Sequence, residues 1–239
     1  MEKKSSALMV KKASFTYNPF QENTYVVYAE GGQCAVVDPG FSDSAESGDF
    51  FSHIEALGLT PAAVLLTHAH PDHICGASLL QKKYGVPVYM NAADRPTLEH
   101  APAMTRQYGL PCPETDFSTT AVEDGEIIRA AGLEFKVITT PGHSPGGCCY
   151  LLEEGKMLFS GDTLFAGTIG RSDLFGGEYD DLIRSIMEKL IFLDPEIVLC
   201  PGHGPKSTIG QERNTNPFLE PFNEPEEEFD PDLKPVVIN

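Results

Sequence analysis

The stretch Thr67-His68-Ala69-His70-Pro71-Asp72-His73 sets three imidazoles and one carboxylate within six residues, from His68 to His73. An apolar run, Ala63-Val64-Leu65-Leu66, leads into it, and a helix-like stretch from Ala77 to Tyr84 follows. Neutral imidazoles and carboxylates are the natural ligands of Zn²⁺ and similar divalent ions. Four such groups this close cannot all serve one tetrahedral ion that also takes distant ligands. The spacing therefore points to two neighbouring ions, the arrangement of metal-assisted hydrolysis.

Three further candidate ligands share one local setting. Val137-Ile138-Thr139-Thr140-Pro141-Gly142 leads to His143, Met157-Leu158-Phe159-Ser160-Gly161 to Asp162, and Ile197-Val198-Leu199-Cys200-Pro201-Gly202 to His203. Each time an apolar strand runs out, a glycine loosens the backbone, and a metal-type side chain follows. If these strands share a direction in their sheets, their carboxyl ends form one rim, the place where open α/β sheets build sites. His68, His70, Asp72, His73, His143, Asp162 and His203 then converge.

The rest of the chain interleaves strands and helices. Strands are expected at Thr24 to Ala29, Cys34 to Val37, Val64 to Thr67, Val86 to Met90, Glu126 to Arg129, Leu133 to Ile138, Gly147 to Leu152, Lys156 to Phe159 and Glu196 to Cys200. Apolar spacing at Phe50, Phe51, Ile54 and Leu57 predicts a helix from Ser47 to Leu57, stopped by Gly58. Ala77 to Tyr84, ended by Gly85, and the amphipathic Tyr179 to Leu193 are two more. Residues 91–121 read as a long excursion with one helix near Ala93 to His100, a lid or pocket wall. Residues 1–220 form one domain in this reading, and 221–239 an acidic, Pro-rich tail.

Net charge is −18 with a pI near 4.6, a balance that repels phosphate backbones and anionic membranes. Between Glu220 and Asp232 alone stand seven acidic residues and no basic one. No apolar run approaches membrane-spanning length, and Lys11 and Lys12 interrupt the short run Ala7 to Val10, too short for a secretory signal. The six cysteines, Cys34, Cys75, Cys112, Cys148, Cys149 and Cys200, make no framework spacing and read as reduced thiols of a cytoplasmic protein.

The pattern T-H-x-H-x-D-H, then G-H, G-D and G-H, resembles the metallo-β-lactamase superfamily, over roughly Phe15 to Leu219. Phe159-Ser160-Gly161-Asp162-Thr163-Leu164-Phe165, Gly170-Arg171, Pro201-Gly202-His203-Gly204-Pro205 and Asn216-Pro217-Phe218-Leu219 are most similar to the glyoxalase II-like hydrolases. That resemblance implies an α/β fold, an αββα four-layer sandwich. It implies two divalent ions per chain, Zn²⁺ first and Fe or Mn as alternatives: His68, His70 and His143 on one, Asp72, His73 and His203 on the other, and Asp162 bridging. It implies hydrolysis of a small acyl-thioester of the hydroxyacylglutathione type by a metal-bridging hydroxide, with Asp72 and Asp162 as catalytic carboxylates. Arg171 is the candidate anchor for a substrate carboxylate.

The chain departs from the larger glyoxalase II enzymes in two ways. It ends in acid where they carry a basic C-terminal glutathione-binding domain, and Gly204-Pro205 follows His203 where they place a Tyr. The rival on this scaffold is a mononuclear iron persulfide dioxygenase using His68, His143 and Asp162. A non-catalytic metal- or partner-binding module is the second class. Flavodiiron proteins need a flavin domain for which no length remains, and a bridging Asp162 speaks against a β-lactamase. The expected partner is a small-molecule thioester, with no nucleic acid and no membrane, and a monomer is the default. His53 and His100 read as structural, and Cys75, Cys148 and Cys149 as packing. Phe15, Tyr17, Phe20 and Tyr25 read as packing too, Asn23 as a cap under the site, and Arg171 with Asp173 as an alternative loop clamp.

Overall fold

Strand-forming runs of Val, Ile, Tyr and Phe account for most of the chain's order. The computed structural model describes residues 9–108 and 113–219, and the expected 221–239 tail and Cys112 lie outside them. One six-stranded sheet holds β1 (Lys11–Tyr17), β2 (Glu22–Tyr28), β3 (Gln33–Val37), β4 (Thr60–Leu65), β5 (Val88–Asn91) and β6 (Thr120–Val122), in sequence order. Its first two pairings are antiparallel and the remaining three parallel. The second sheet takes β7 (Ile127–Ala130), β8 (Leu133–Thr139), β9 (Cys148–Leu152) and β10 (Met157–Gly161). A separate hairpin, β11 (Leu164–Phe165) and β12 (Thr168–Ile169), follows, and then β13 (Val198–Pro201) and β14 (Ser207–Thr208) complete that sheet. Its order is β14-β13-β10-β9-β8-β7.

The sheets face each other. Tyr25, Val27, Val37 and Leu65 of the first meet Phe135, Val137, Tyr150 and Phe159 of the second in one buried cluster. Helices α1 (Ser44–Ala56), α2 (Pro71–Ile74), α3 (Ala77–Tyr84) and α4 (Arg95–Tyr108) follow the first-sheet strands, and Phe50, Ile54, Leu80, Leu98 and Ala101 cover its outer face. Leu182 and Ile209, on α5 (Tyr179–Ser185) and α6 (Ile209–Thr215), cover the other. This is the expected αββα sandwich. Central strands β9 and β10 are buried at every residue, which explains why they read as unbroken apolar runs rather than alternating ones.

Strand direction places the rim. β8 is antiparallel to β9 and β9 to β10, so β8 and β10 run together, and β13 is parallel to β10. The ends of these three strands therefore open on one side. Cross-sheet hydrogen bonds bring the end of β4 to the same edge: Cys148 N donates to Thr67 O at 2.8 Å and the Tyr150 hydroxyl to Leu66 O at 2.8 Å. The Tyr25 hydroxyl reaches Pro201 O at 2.8 Å.

Three elements differ from expectation. The excursion is a short 3₁₀ turn, Ala92–Asp94, running into the 14-residue α4. Its prolines masked it: Pro96 stands in the first turn, where no N–H is needed, and Pro102 is tolerated inside the helix. The helix expected from Tyr179 to Leu193 begins as α5 and widens into a π-helical turn over Ile186–Leu190, closed by Ile191 N donating to Ile186 O at 3.2 Å. Helix α1 starts earlier than its apolar spacing suggested because Asp43 caps it, accepting from Ala45 N and Glu46 N. No helix among the described residues is long and apolar enough to cross a membrane.

Tyr150 is fully buried, and its hydroxyl makes a sheet-to-sheet contact at Leu66, two residues before His68. Tyr150→Phe leaves Leu66 O without that donor, so urea unfolding should show a loss of about 1–3 kcal/mol with an unchanged m value.

Candidate metal centre

Two glycines let the rim close. A side chain at Gly161, whose φ is +49°, would put Cβ 2.3 Å from Thr67 Oγ1. One at Gly202 would put it 2.3 Å from Asp162 Oδ1 and 2.6 Å from His73 Cε1. The glycines of the G-D and G-H motifs are thus needed for close approach rather than for turning alone. Within the first cluster, His70 ends an extended segment and Pro71 opens the short α2, which sets Asp72 and His73 on one turn.

All seven expected side chains meet at this rim. They fall into two sets, His68 with His70 and His143, and Asp72 with His73 and His203, the ligand-type atoms of each set within 4.8 Å of one another. His70 Nδ1 and His143 Nε2 are 2.8 Å apart, and His73 Nε2 and His203 Nε2 3.3 Å. Asp162 stands between the sets. Its Oδ2 is 3.5 Å from both His143 Nε2 and His203 Nε2, and its Oδ1 is 3.5 Å from His73 Nε2. Asp72 Oδ2 lies 3.3 Å from His203 Nε2.

Ring orientation shows what the cluster is built to hold. His143 Nδ1 donates to Arg171 O at 2.7 Å, His203 Nδ1 to Phe20 O at 3.0 Å and His73 Nδ1 to Asp38 Oδ2 at 3.0 Å. Thr67 Oγ1 gives its one proton to Asp38 Oδ2 at 2.6 Å, so toward His68 Nδ1, at 3.0 Å, it accepts. Each of these four rings therefore spends its Nδ1–H outward and turns Nε2 inward. His68 Nε2, His70 Nε2 and Asp162 Oδ1 are buried with no hydrogen-bond partner. Inward lone pairs beside carboxylates fit divalent cations, and outward N–H groups on fixed acceptors are the usual support of histidine ligands.

Asp38 directly follows the expected strand Cys34 to Val37 and is not among the candidate site residues read from the sequence. It holds a ring of each set, His73 directly and His68 through Thr67, and its Oδ1 also accepts from Thr67 N at 2.7 Å. It could have been found by the rule that found the ligands, since it too is an acid at the end of an apolar strand, β3. Asn23 does cap the site from beneath, donating to Pro201 O at 3.1 Å and Gly204 O at 2.9 Å.

The two sets differ electrostatically. Burial, reinforced by neighbouring imidazoles, holds His68 and His70 well below the ordinary histidine range. Burial would lower His73 as well, but Asp72, Asp162 and Asp38 outweigh it and raise His73 well above that range. His203 is raised against burial by Asp72 and Asp162. Burial would raise Asp72, but His73 and His203 hold it low.

The rim opens into a cavity of about 280 Å³. The metal-type residues form its floor, and Phe20, Met104, Thr105, Leu174 and Arg171 line it above them. The excursion thus supplies a pocket wall through α4. Phe20, expected to be packing, is 42% exposed and lines this cavity instead. Arg171 lines it too, while its Nε and Nη2 pair with Asp173 Oδ1 and Oδ2 at 2.7 and 2.9 Å, the loop clamp weighed as its alternative role. His53 and His100 lie outside both sets. Cys75 donates to Pro71 O at 3.0 Å, and Cys148 and Cys149 are buried in the core.

Residues 17–203 match the profile of the metallo-beta-lactamase superfamily. The chain is 37% identical to the hydroxyacylglutathione hydrolase GloC of Haemophilus influenzae, over 84% of this chain and 93% of that protein. Among solved structures, BLEG-1 B3 metallo-beta-lactamase superposes with a TM-score of 0.80 at 36% identity, covering 87% of this chain and 99% of that one. TTHA1623, solved in a di-iron-bound form, superposes with a TM-score of 0.78 at 40% identity, covering 87% and 100%.

The charge difference between the sets predicts different pH dependence. Below its raised value the ion-free His73 carries a proton that an incoming cation must expel. Affinity at Asp72, His73 and His203 should therefore fall about tenfold per pH unit for each proton displaced, and His203, also raised, can displace a second. Affinity at the set containing His68 and His70, both held low, should fall less steeply with pH. Calorimetric Zn²⁺ titrations from about pH 6 to 8 distinguish this from equal slopes for both ions, which would contradict it.

Proposed function

The chain belongs to the metallo-beta-lactamase superfamily, and within it we propose a binuclear metal-dependent hydrolase of a small acyl-thioester, of the hydroxyacylglutathione type. The observation that carries the proposal is Asp162 Oδ2, equidistant at 3.5 Å from one inward imidazole nitrogen of each set. A carboxylate so placed suits a bridge between two cations. His68, His70 and His143 would hold one ion and Asp72, His73 and His203 the other. Such a pair supplies Lewis acidity and lowers the pKa of water toward neutrality.

The chain's own residues supply orientation and exclusion. Asp72 and Asp162 stand at the cavity floor, their side chains 14% and 12% exposed, where their oxygens can accept a proton from water and aim it at an acyl carbon. Phe20, Met104 and Leu174 make the wall apolar, which keeps bulk water from the bond being cleaved. Among the described residues no serine or cysteine lines the cavity, and Thr105 is the one hydroxyl there. A thiolate leaves without acid assistance, so the floor need supply none.

Cavity size supports a small acyl group. About 280 Å³ falls just under the range of roughly 300–1,000 Å³ typical of ligand pockets. The acyl end enters and the thiol carrier extends across the mouth, where Arg171 can meet a carboxylate by exchanging its bond to Asp173. The relative named as a hydroxyacylglutathione hydrolase supports this class. Zn²⁺ leads as the metal, and the di-iron relative supports iron as the alternative. The five free cysteines among the described residues accord with a reducing, cytoplasmic setting.

Zn²⁺-loaded protein should cleave S-lactoylglutathione, followed by loss of thioester absorbance, with two ions per chain by elemental analysis. Asp162→Ala and His68→Ala should each lower kcat by at least about 100-fold, above the range seen when outer-shell supports are lost. One iron per chain, with oxygen uptake on a persulfide, would replace this reading by the dioxygenase. A β-lactam belongs in the same panel because of the B3 relative. Arg171→Ala should raise KM about tenfold with little change in kcat, the signature of lost ground-state binding.

A further inference from the structure

Asp94 closes the 3₁₀ turn ahead of α4 and is fully buried. It precedes the helix by one residue, where a capping aspartate would stand, yet its carboxylate takes no backbone N–H of α4 among the described residues. Only Thr97 Oγ1 approaches it from the helix, at 3.3 Å. Its stronger bonds cross to the loops that carry histidines. Oδ2 accepts from Ala69 N at 2.7 Å, the residue between His68 and His70, and from Ser144 Oγ at 3.0 Å, the residue after His143. Oδ1 accepts from Gly146 N at 2.7 Å. The approach is tight enough that a Cβ at Gly146 would sit 2.4 Å from Asp94 N.

We propose that Asp94 is a positioning residue for the three-imidazole half of the centre, fastening the loop of His68 and His70 to the loop of His143 and so setting cation affinity there without touching the cation. Those loops come from different sheets, after β4 and after β8, and both end on this carboxylate. Its bonds fall at Ala69, between His68 and His70, and at Ser144 and Gly146, just after His143, whereas Asp72 and His73 stand on α2 beyond Pro71, so its influence falls chiefly on the first set. Only a group with acceptors on both edges can serve, because each edge faces a backbone N–H and a hydroxyl. An amide in its place turns N–H groups toward one of those donors.

The inference rests on the two-ion reading, and the experiment separates them. Zn²⁺ affinity is measured by chelator competition on full-length protein, in a His203→Ala background that leaves the three-imidazole set and in a His143→Ala background that leaves the other. Asp94→Asn should weaken Zn²⁺ about 10–100-fold in the first background and less than about threefold in the second. The Zn²⁺-induced rise in Tm should shrink in the first background, because that rise follows RT ln(1 + [L]/Kd). A merely structural Asp94 would lower Tm equally with and without Zn²⁺ and leave both affinities unchanged, and that result overturns the proposal. Should Asp94→Asn fail to fold, Ser144→Ala removes one bond and keeps the carboxylate. It should weaken the first set several-fold, and an unchanged affinity there overturns the proposal equally. Unmutated protein that takes up fewer than two ions sinks the two-ion reading itself.

Discussion

Imidazoles turn lone pairs toward one another in a dry interior most readily where the protein provides for the other ring nitrogen. Four acceptors do so for four of the five rings: Asp38 for His73, Thr67 Oγ1 for His68, Arg171 O for His143 and Phe20 O for His203, while His70 Nε2 has no such partner. Asp38 matters most because it anchors a ring from each set and also the backbone of Thr67. A buried carboxylate costs several kcal/mol unless it is paired and hydrogen-bonded. Asp38 takes bonds from a backbone N–H, a hydroxyl and an imidazole, so its charge is met from three directions. Four imidazoles from both sheets are thereby oriented before any cation arrives.

That arrangement needs two sheets whose edges meet to within hydrogen-bond distance. The core between them is filled by Tyr25, Phe135, Tyr150 and Phe159, and two of these carry hydroxyls that bond the partner sheet's backbone near the rim. Aromatic bulk sets the spacing of the sheets and the hydroxyl sets the register between them. Glycines at 161 and 202 then let the loops meet where any side chain would collide. Packing and site geometry are therefore coupled.

Much of this was legible in the sequence. The candidate ligands could be read because these imidazoles and acids gather just past the ends of apolar strands, and most strands because central ones carry unbroken apolar runs such as Met157 to Phe159. Boundaries slipped where side-chain capping outruns apolar spacing, as at Asp43. Helix α4 was harder because Pro96 and Pro102 read as breakers, yet one stands in a tolerated position and the other is carried by packing of Leu98 and Ala101. Asp38 and Asp94 were not recognised as supports because their partners lie 25 or more residues away. Composition and periodicity report local preference, and a support that acts across sheets leaves no local trace. Phe20 escaped for the same reason: only the fold shows that its ring faces a cavity rather than a core.

The unequal charge of the two halves bears on how the centre could work on a thioester. One set is three imidazoles, of which burial holds His68 and His70 low, and the other contains the carboxylate of Asp72, with Asp162 between them. Two carboxylates against two dications would leave the floor of the cavity strongly positive, although the whole chain carries −18. Screening confines exposed surface charge to about 8–10 Å, so a thioester at the floor feels the local field far more than the distant acidic face. Charge developing on an acyl oxygen meets its strongest stabilisation in such a water-poor, pre-oriented place. The apolar wall from α4 and Phe20 sharpens that field by lowering the local dielectric. With two dications held there, the fold would concentrate positive potential at one rim of an otherwise acidic molecule.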